Sequence, residues 1–467
     1  MITIDFSARK DLTLTDFLYA QIRSQILCGN LSENEKLPSK RSLALHLGVS
    51  VITVQNAYLR LIDEGFLFSE EKKGFFVSDL ASHLKKTGKT EPKKTYAEPK
   101  KYFADFASNA VCADKFPFSL WSKTMRQVLK TENEKLLERT DVFGSFALRS
   151  AIRNHLKAFR NMDISENQVI IGAGTESLYS MLVQFIGRNE IFAVENPGYH
   201  KANEIFRLNG SKCLPVKIDG QGISCEELEK SGANVVHVSP SHHFPTGITM
   251  NYKRRTELLE WASRKQNRYI IEDDYDSEFR FTGKPLPTLQ SIDQKSRVIY
   301  INTFSKTLSP SFRISYMVLP KSLSEEFARK LGFYSCQVSS FEQFTLARFI
   351  DEGNYEKHIN KMKNYYRTLR NNLITAIEKS PLSKICKIHE ENSGLHFLLT
   401  IDSEKTPLSA AEIQKKWMEN GINIKLLSDY FYQDGNERKS GESFIVNYSG
   451  IKKEAIPEII ERMCDAI

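Results

Sequence analysis

From Phe103 onward, short apolar runs rich in β-branched residues alternate with helical stretches, and few folds accommodate that rhythm. Strands are expected at 168–171, 191–194, 235–238 and 269–271, with helices at 175–187, within 200–208 and at 253–266. The alternation predicts a mainly parallel sheet covered on both faces by helices. Ligand sites in such sheets lie at the carboxyl ends of the strands. The unusual residues of this chain gather there. After the apolar run Val298-Ile299-Tyr300-Ile301 comes Asn302-Thr303-Phe304-Ser305-Lys306-Thr307-Leu308-Ser309-Pro310-Ser311-Phe312-Arg313, and a second apolar run, Ile314 to Leu319, leads away. Strand, polar turn and strand put Lys306 at the rim of the sheet. Partial desolvation there lowers an amine's pKa and frees it to attack an aldehyde. Thr303, Ser305 and Arg313 crowd the same turn with groups suited to a phosphate.

Other strand ends carry matching chemistry. Gly172-Ala173-Gly174-Thr175 joins a strand to a helix, where backbone N–H groups and the Thr175 hydroxyl suit a phosphate. Asn196-Pro197-Gly198-Tyr199 presents an aromatic ring for stacking. Ser241-His242-His243-Phe244-Pro245-Thr246-Gly247 ends another strand. Neighbouring side chains in extended chain point apart, so its two histidines do not suggest a metal. Glu272-Asp273-Asp274-Tyr275-Asp276 supplies carboxylates, one of which would keep a pyridine nitrogen protonated if placed beneath it.

The first eighty residues read differently. Leu14, Phe17, Leu18, Ile22, Ile26 and Leu27 recur at helical spacing, and Gly29 follows as a stop. Ser39 caps a second helix, Gly48-Val49-Ser50 turns the chain, and Ser50 caps a third helix running to Glu64. Phe66-Leu67-Phe68 and Gly74-Phe75-Phe76-Val77 then form a hairpin tipped by Lys72-Lys73. Between this head and the large domain, residues 83–101 hold seven Lys/Arg against two Glu, whereas residues 1–82 hold nine Lys/Arg against ten Asp/Glu. Much of the net charge of +8 therefore sits in a short connector without hydrophobic period. The expected division is a head at 1–80, a basic flexible linker at 81–103 and a large domain at 104–467. The seven cysteines are scattered without a Cys-x-x-Cys, as expected of reduced thiols in a cytoplasmic protein. No apolar run is long enough to span a bilayer, and Met1 to Lys10 lacks the apolar core of a signal peptide.

Two resemblances give these features roles. Leu37-Pro38-Ser39-x-Arg41-x-Leu43-Ala44, Val49-Ser50-x-x-Thr53-Val54-x-x-Ala57-Tyr58 and Leu61-x-x-Glu64-Gly65 resemble the winged helix-turn-helix of GntR-type bacterial regulators. The resemblance implies that Ser39, Arg41, Ser50 and Thr53 approach the phosphates and base edges of a double-stranded DNA operator. Gln55 and Asn56 are further candidates, and Lys73 with Gly74 would follow the minor groove. Val51 stands where the family usually has Arg or Lys, so a bidentate guanine contact is lost there. Over the large domain, the order of phosphate turn, aromatic, Pro-Thr-Gly, Asp, Ser-Lys and Arg resembles class I aminotransferases of the pyridoxal-phosphate-dependent fold type I. Glu272 to Phe279 and Ser241-His242-x-Phe244-Pro245-Thr246-Gly247 resemble in particular the MocR/GabR regulators, which fuse both parts.

That likeness implies an α/β chain: a winged helix-turn-helix, then a fold type I domain with a mainly parallel sheet and a smaller C-terminal lobe. It implies pyridoxal 5'-phosphate in Schiff-base linkage to Lys306, with Asp273 on the pyridine nitrogen and Tyr275 on the phenolic oxygen. Tyr199 would stack on the ring, and Gly174, Thr175, Thr303 and Arg313 would hold the phosphate. Fold type I sites form between subunits, so a homodimer is expected. Three departures bear on function. Phe244 replaces an Asn that commonly bonds the phenolic oxygen, and Arg139 replaces a Tyr that reaches the partner's phosphate. No Arg opens the last strand, Ser443-Phe444-Ile445-Val446, where many members bind the substrate carboxylate; Lys201 and Arg438 are the remaining candidates. The expectation is a transcription regulator that senses an amino compound, or pyridoxal phosphate itself, by aldimine exchange at Lys306 with little or no turnover. The alternative is an active class I aminotransferase with a DNA-binding appendage.

Overall fold

The computed structural model describes residues 9, 12–79, 101–108, 110–283, 286–432 and 443–467. Two compact units emerge, Met1–Lys100 and Lys101–Ile467. Most of the expected linker, residues 81–100, lies outside the described residues, as does Arg438. No helix among the described residues is long and apolar enough to cross a membrane.

In the first unit, helices Leu14–Leu27, Lys40–Leu47 and Val51–Asp63 bury Leu18, Ile22, Leu43, Val54, Ala57 and Leu61 in one core. Ser39 and Ser50 cap the second and third helices by accepting from Ser42 N and Thr53 N. Gly48 ends the second helix in the left-handed conformation, at φ 65°, and so allows the tight turn between them. The hairpin Leu67–Glu70 with Gly74–Val77 gains a third strand that the apolar pattern did not reveal: Lys36–Leu37 pairs antiparallel with Phe76 and Phe75. Two residues are too few to show a period.

The second unit is built on an eight-stranded sheet. Its spatial order is Val169–Gly172, Ser315–Val318, Val298–Thr303, Tyr269–Asp273, Val235–Val238, Ile191–Asn196, Lys212–Asp219 and Gly222–Ile223. Ser315–Val318 and Gly222–Ile223 run antiparallel to their neighbours, and the four pairings between Val298–Thr303 and Lys212–Asp219 are parallel. Successive residues face opposite helix layers, as the two-residue period of a strand requires. Val169, Ile171, Tyr300, Tyr316 and Val318 pack with Leu148, Ile152 and Phe349, whereas Ile170, Ile299, Ile301 and Met317 pack with Leu178, Leu182 and Phe206.

Two strands run further than their apolar residues suggest. Tyr269–Asp273 and Val298–Thr303 end on polar residues because the ladder continues through them: Asp273 pairs with Ile301, and Thr303 with Ser315. Asp273 and Thr303 are therefore held by sheet backbone rather than by a turn. A smaller lobe follows, with antiparallel strands Cys386–His389, His396–Ile401, Ser443–Asn447 and Lys425–Leu426. Helix Asn354–Lys379 covers it, burying Tyr366, Leu369, Leu373 and Ile377 against Phe397, Trp417, Phe444 and Tyr448.

Candidate cofactor and DNA-binding sites

The carboxyl ends of the central strands open on a cavity of about 290 Å³. Gly174, Thr175, Tyr199, Lys201, Asp273, Tyr275, Thr303, Lys306 and Arg313, all singled out in the sequence, line it together with Glu176, Ser239, Phe244, Ser305 and Pro310. Their elements explain the convergence. Val169–Gly172 ends at Gly174 and Thr175, Ile191–Asn196 before Tyr199, Val235–Val238 at Ser239, and Val298–Thr303 just before Lys306.

Lys306 is 8% exposed. Burial lowers its pKa to about 8, and the Asp276 carboxylate opposes that shift without cancelling it. Near neutrality the amine is thus far closer to its nucleophilic form than an exposed lysine. The turn around it is tied down by hydroxyls. Thr303 Oγ1 donates to Ser305 Oγ at 2.9 Å and accepts from Ser315 Oγ at 2.8 Å and from Ser305 N at 3.1 Å.

Asp273 is 6% exposed. Its Oδ2 accepts from the Tyr179 hydroxyl at 2.6 Å and lies 3.4 Å from His237 Nε2, while Tyr179 Oη and His237 Nε2 are 3.0 Å apart. Sequence reasoning missed both partners. A lone histidine inside the buried strand Val235-Val236-His237-Val238 was the available signal; Tyr179 gave none beyond helical spacing. Asp274, one residue on, faces elsewhere. Burial pushes its pKa up, but Arg160 at 2.6 Å, with hydroxyls of Ser241, Ser277 and Tyr300, brings it below the usual carboxylate value.

Gly174 and Arg313 meet on the wall of the cavity. A Cβ on Gly174 would come within 2.7 Å of Arg313 Nη2, and its φ of 87° is one that L side chains rarely adopt. Arg313 itself takes φ 50° and donates from Nη2 to Glu176 Oε2 at 3.1 Å. Lys201 is likewise engaged, donating to Glu176 Oε1 at 2.9 Å. The paired histidines turn to different partners: His242 Nδ1 is 2.8 Å from Asp276 Oδ1, and His243 Nδ1 is 2.7 Å from Thr246 Oγ1. Phe244 sits edge-on to His396 and Tyr430.

Whether these residues suit pyridoxal phosphate turns on the polar atoms they leave over. Asp273 Oδ1 and the Tyr275 hydroxyl are buried without a hydrogen-bond partner. A ring with a protonated nitrogen on one side and a phenolic oxygen on the other answers both. The bare Gly174 beside Arg313 and the N-terminus of helix Thr175–Ile186 answer a phosphate. The residues fit the group.

In the head, Arg41, Val51, Ile52, Gln55 and Asn56 are exposed, and Thr53 is half-buried. Ser50 Oγ also bonds Thr53 Oγ1 at 2.8 Å, and Gln55 Oε1 accepts from Lys40 Nζ at 3.2 Å. Lys73, at the hairpin tip, pairs with Glu70 at 2.8 Å.

Fold and site together define a DNA-binding regulator with a pyridoxal-phosphate domain of aminotransferase type. The family model for aminotransferase class I and II matches residues 103–463, and that for bacterial regulatory proteins of the gntR family matches 14–77. The uncharacterized HTH-type transcriptional regulator YdeL of Bacillus subtilis (strain 168) is 37% identical over 97% of this chain and 96% of its own length. The probable rhizopine catabolism regulatory protein MocR of Rhizobium meliloti is 30% identical over 100% of this chain and 96% of its own. Among solved structures, the kynurenine aminotransferase of Pyrococcus horikoshii is similar in fold, with TM-score 0.67 and 23% identity over 85% of this chain and 96% of that one. The chain belongs to the MocR-type transcriptional regulators.

Three outcomes check the two sites. The rate at which pyridoxal modifies Lys306 should rise with pH to a midpoint near 8, measured by borohydride trapping and peptide mass. Asp276→Asn should move that midpoint lower, because the carboxylate is what raises it. Arg41→Ala should weaken DNA binding at all sequences and flatten its salt dependence by about one unit if Arg41 meets a phosphate. Unchanged affinity in filter binding would place the docking face elsewhere.

Proposed function

We propose that the aminotransferase-type domain is a sensor, with Lys306 as the cofactor's covalent anchor and as the group that an effector's amine replaces. Pyridoxal phosphate supplies, when bound, an aldehyde that condenses with primary amines. Asp273, fixed by Tyr179 and His237, holds the ring nitrogen, and Tyr275 meets the phenolic oxygen. Tyr199 stacks, while Thr175, Gly174, Thr303 and Arg313 take the phosphate. Lys306 Nζ, once displaced, carries off a proton at neutral pH. The effector is an amino compound or the free cofactor.

The observation that carries this reading is what surrounds Lys306. The amine is poised for exchange, but the groups that orient a substrate for proton transfer are thin. Phe244 offers no hydrogen bond, and Lys201, the one carboxylate candidate among the described residues, is engaged by Glu176. Exchange needs an accessible aldehyde carbon; turnover needs a bond aligned with the ring, and misplacement costs orders of magnitude in rate. We assign residues 1–80 to the DNA-binding head, 81–103 to a basic tether and 104–467 to the sensor.

The sensor is further proposed to work as a homodimer. Segments around Glu138–Asp141 and Phe333–Ser340 lie side by side, joined by Ser340 Oγ to Glu138 O and by Arg139 to Phe333 O and Ser335. Leu137 and Phe333 there are 80% and 69% exposed, and Phe146, Tyr334 and Phe341 are exposed as well. Apolar exposure on this scale suits a second copy of the chain. Phe333→Asp should shift sedimentation velocity from dimer to monomer; a wild-type monomer would refute the dimer.

The effector should shift the visible spectrum of the loaded protein and change operator affinity in the same concentration range. Conversion to the pyridoxamine form should be slow or absent on that time scale. Rapid, complete conversion with an ordinary amino acid and no change in any DNA complex would favour the aminotransferase alternative.

A further inference from the structure

Glu176 is the second residue of helix Thr175–Ile186, directly after the threonine assigned to the phosphate. Its two oxygens are divided between the two cations of the cavity other than Lys306. Oε2 accepts from Arg313 at 3.1 Å, and Oε1 accepts from Lys201 at 2.9 Å. The hydrogen bond from Lys201 leads in holding the Glu176 carboxyl below its usual pKa, so it is ionised at neutral pH. The first turn of a helix favours one anion through its partial positive charge, and Glu176 stands in that turn. A cofactor phosphate calls on the same helix terminus and the same guanidinium.

We propose that Glu176 is an internal competitor of the cofactor phosphate, a residue that sets how strongly the protein prefers a phosphorylated pyridoxal over the bare aldehyde. A dianionic phosphate on Arg313 must share or displace the Glu176 carboxylate, which then remains with Lys201. Removing the charge frees Arg313 and ends a like-charge repulsion at short range. The groups are partly solvated, with Glu176 39% and Arg313 51% exposed, so the penalty is about tenfold in affinity rather than a thousandfold. Such a penalty keeps loading reversible, as a protein that responds to the level of free cofactor requires. The proposal rests on the reading of Lys306 as the anchor.

The test compares equilibrium loading of full-length wild type, Glu176→Gln and Glu176→Ala with pyridoxal 5'-phosphate and with pyridoxal, followed by visible absorbance. Both variants should bind the phosphorylated aldehyde about tenfold more tightly, with the affinity for pyridoxal within twofold of wild type. An unchanged or lowered preference for the phosphorylated form in both variants overturns the proposal, and so does an equal gain for both aldehydes. Wild type that forms no borohydride-fixable band at Lys306 with either aldehyde instead removes the anchor reading, and this proposal falls with it.

Discussion

A primary amine held at the carboxyl edge of an apolar sheet is in tension with its surroundings, because low dielectric penalises its charged form. The backbone of the sheet carries Lys306 to that edge. The strand before it ends at Thr303, paired with Ser315, and Ser315 pairs in turn with Gly172 of the strand leading to the phosphate turn. One row across three strands thus aligns the lysine turn, Arg313 and Gly174. The neighbouring strand sets Asp273 two residues deeper, opposite Ile301. Amine, carboxylate and phosphate cradle are therefore spaced by sheet register, which side-chain motion cannot easily change.

The site also borders the smaller lobe, and that border is close-packed. A Cβ on Gly394 would lie 2.4 Å from Asp276 Oδ2 and 2.7 Å from His242 Nδ1; one on Gly247 would lie 2.7 Å from Glu390 Cβ and Ser393 Oγ. Ser393 Oγ donates to the Gly247 carbonyl across the same junction, and the Tyr448 hydroxyl braces the Gly394 carbonyl from within the smaller lobe. The Pro-Thr-Gly turn and the 390–394 turn of the smaller lobe are thus in backbone-close contact, and Asp276, whose charge acts on Lys306, lies beside Gly394 and His242.

Much of this was legible in the chain because polar residues interrupt apolar runs at strand ends, and each interruption lies within a few residues of its strand. Lys306, Asp273, Thr175 and Tyr199 stood out for that reason. What stayed hidden depends on distant pairing. Tyr179 meets Asp273 across 94 positions, and His237 meets Tyr179 across 58. Glu176 looks like an ordinary first-turn acid until Arg313, 137 positions away, is beside it. The strand Lys212–Asp219 escaped because Pro215 interrupts it, and proline ordinarily argues against an inner strand.

The central claim is that Lys306 is the covalent anchor, and borohydride reduction of the loaded full-length protein followed by peptide mass mapping tests it most directly. The account predicts a phosphopyridoxyl adduct on the peptide carrying Lys306, and loss of both adduct and visible band in Lys306→Ala. An adduct on another lysine in wild type, or an unchanged band and adduct yield in Lys306→Ala, would contradict it.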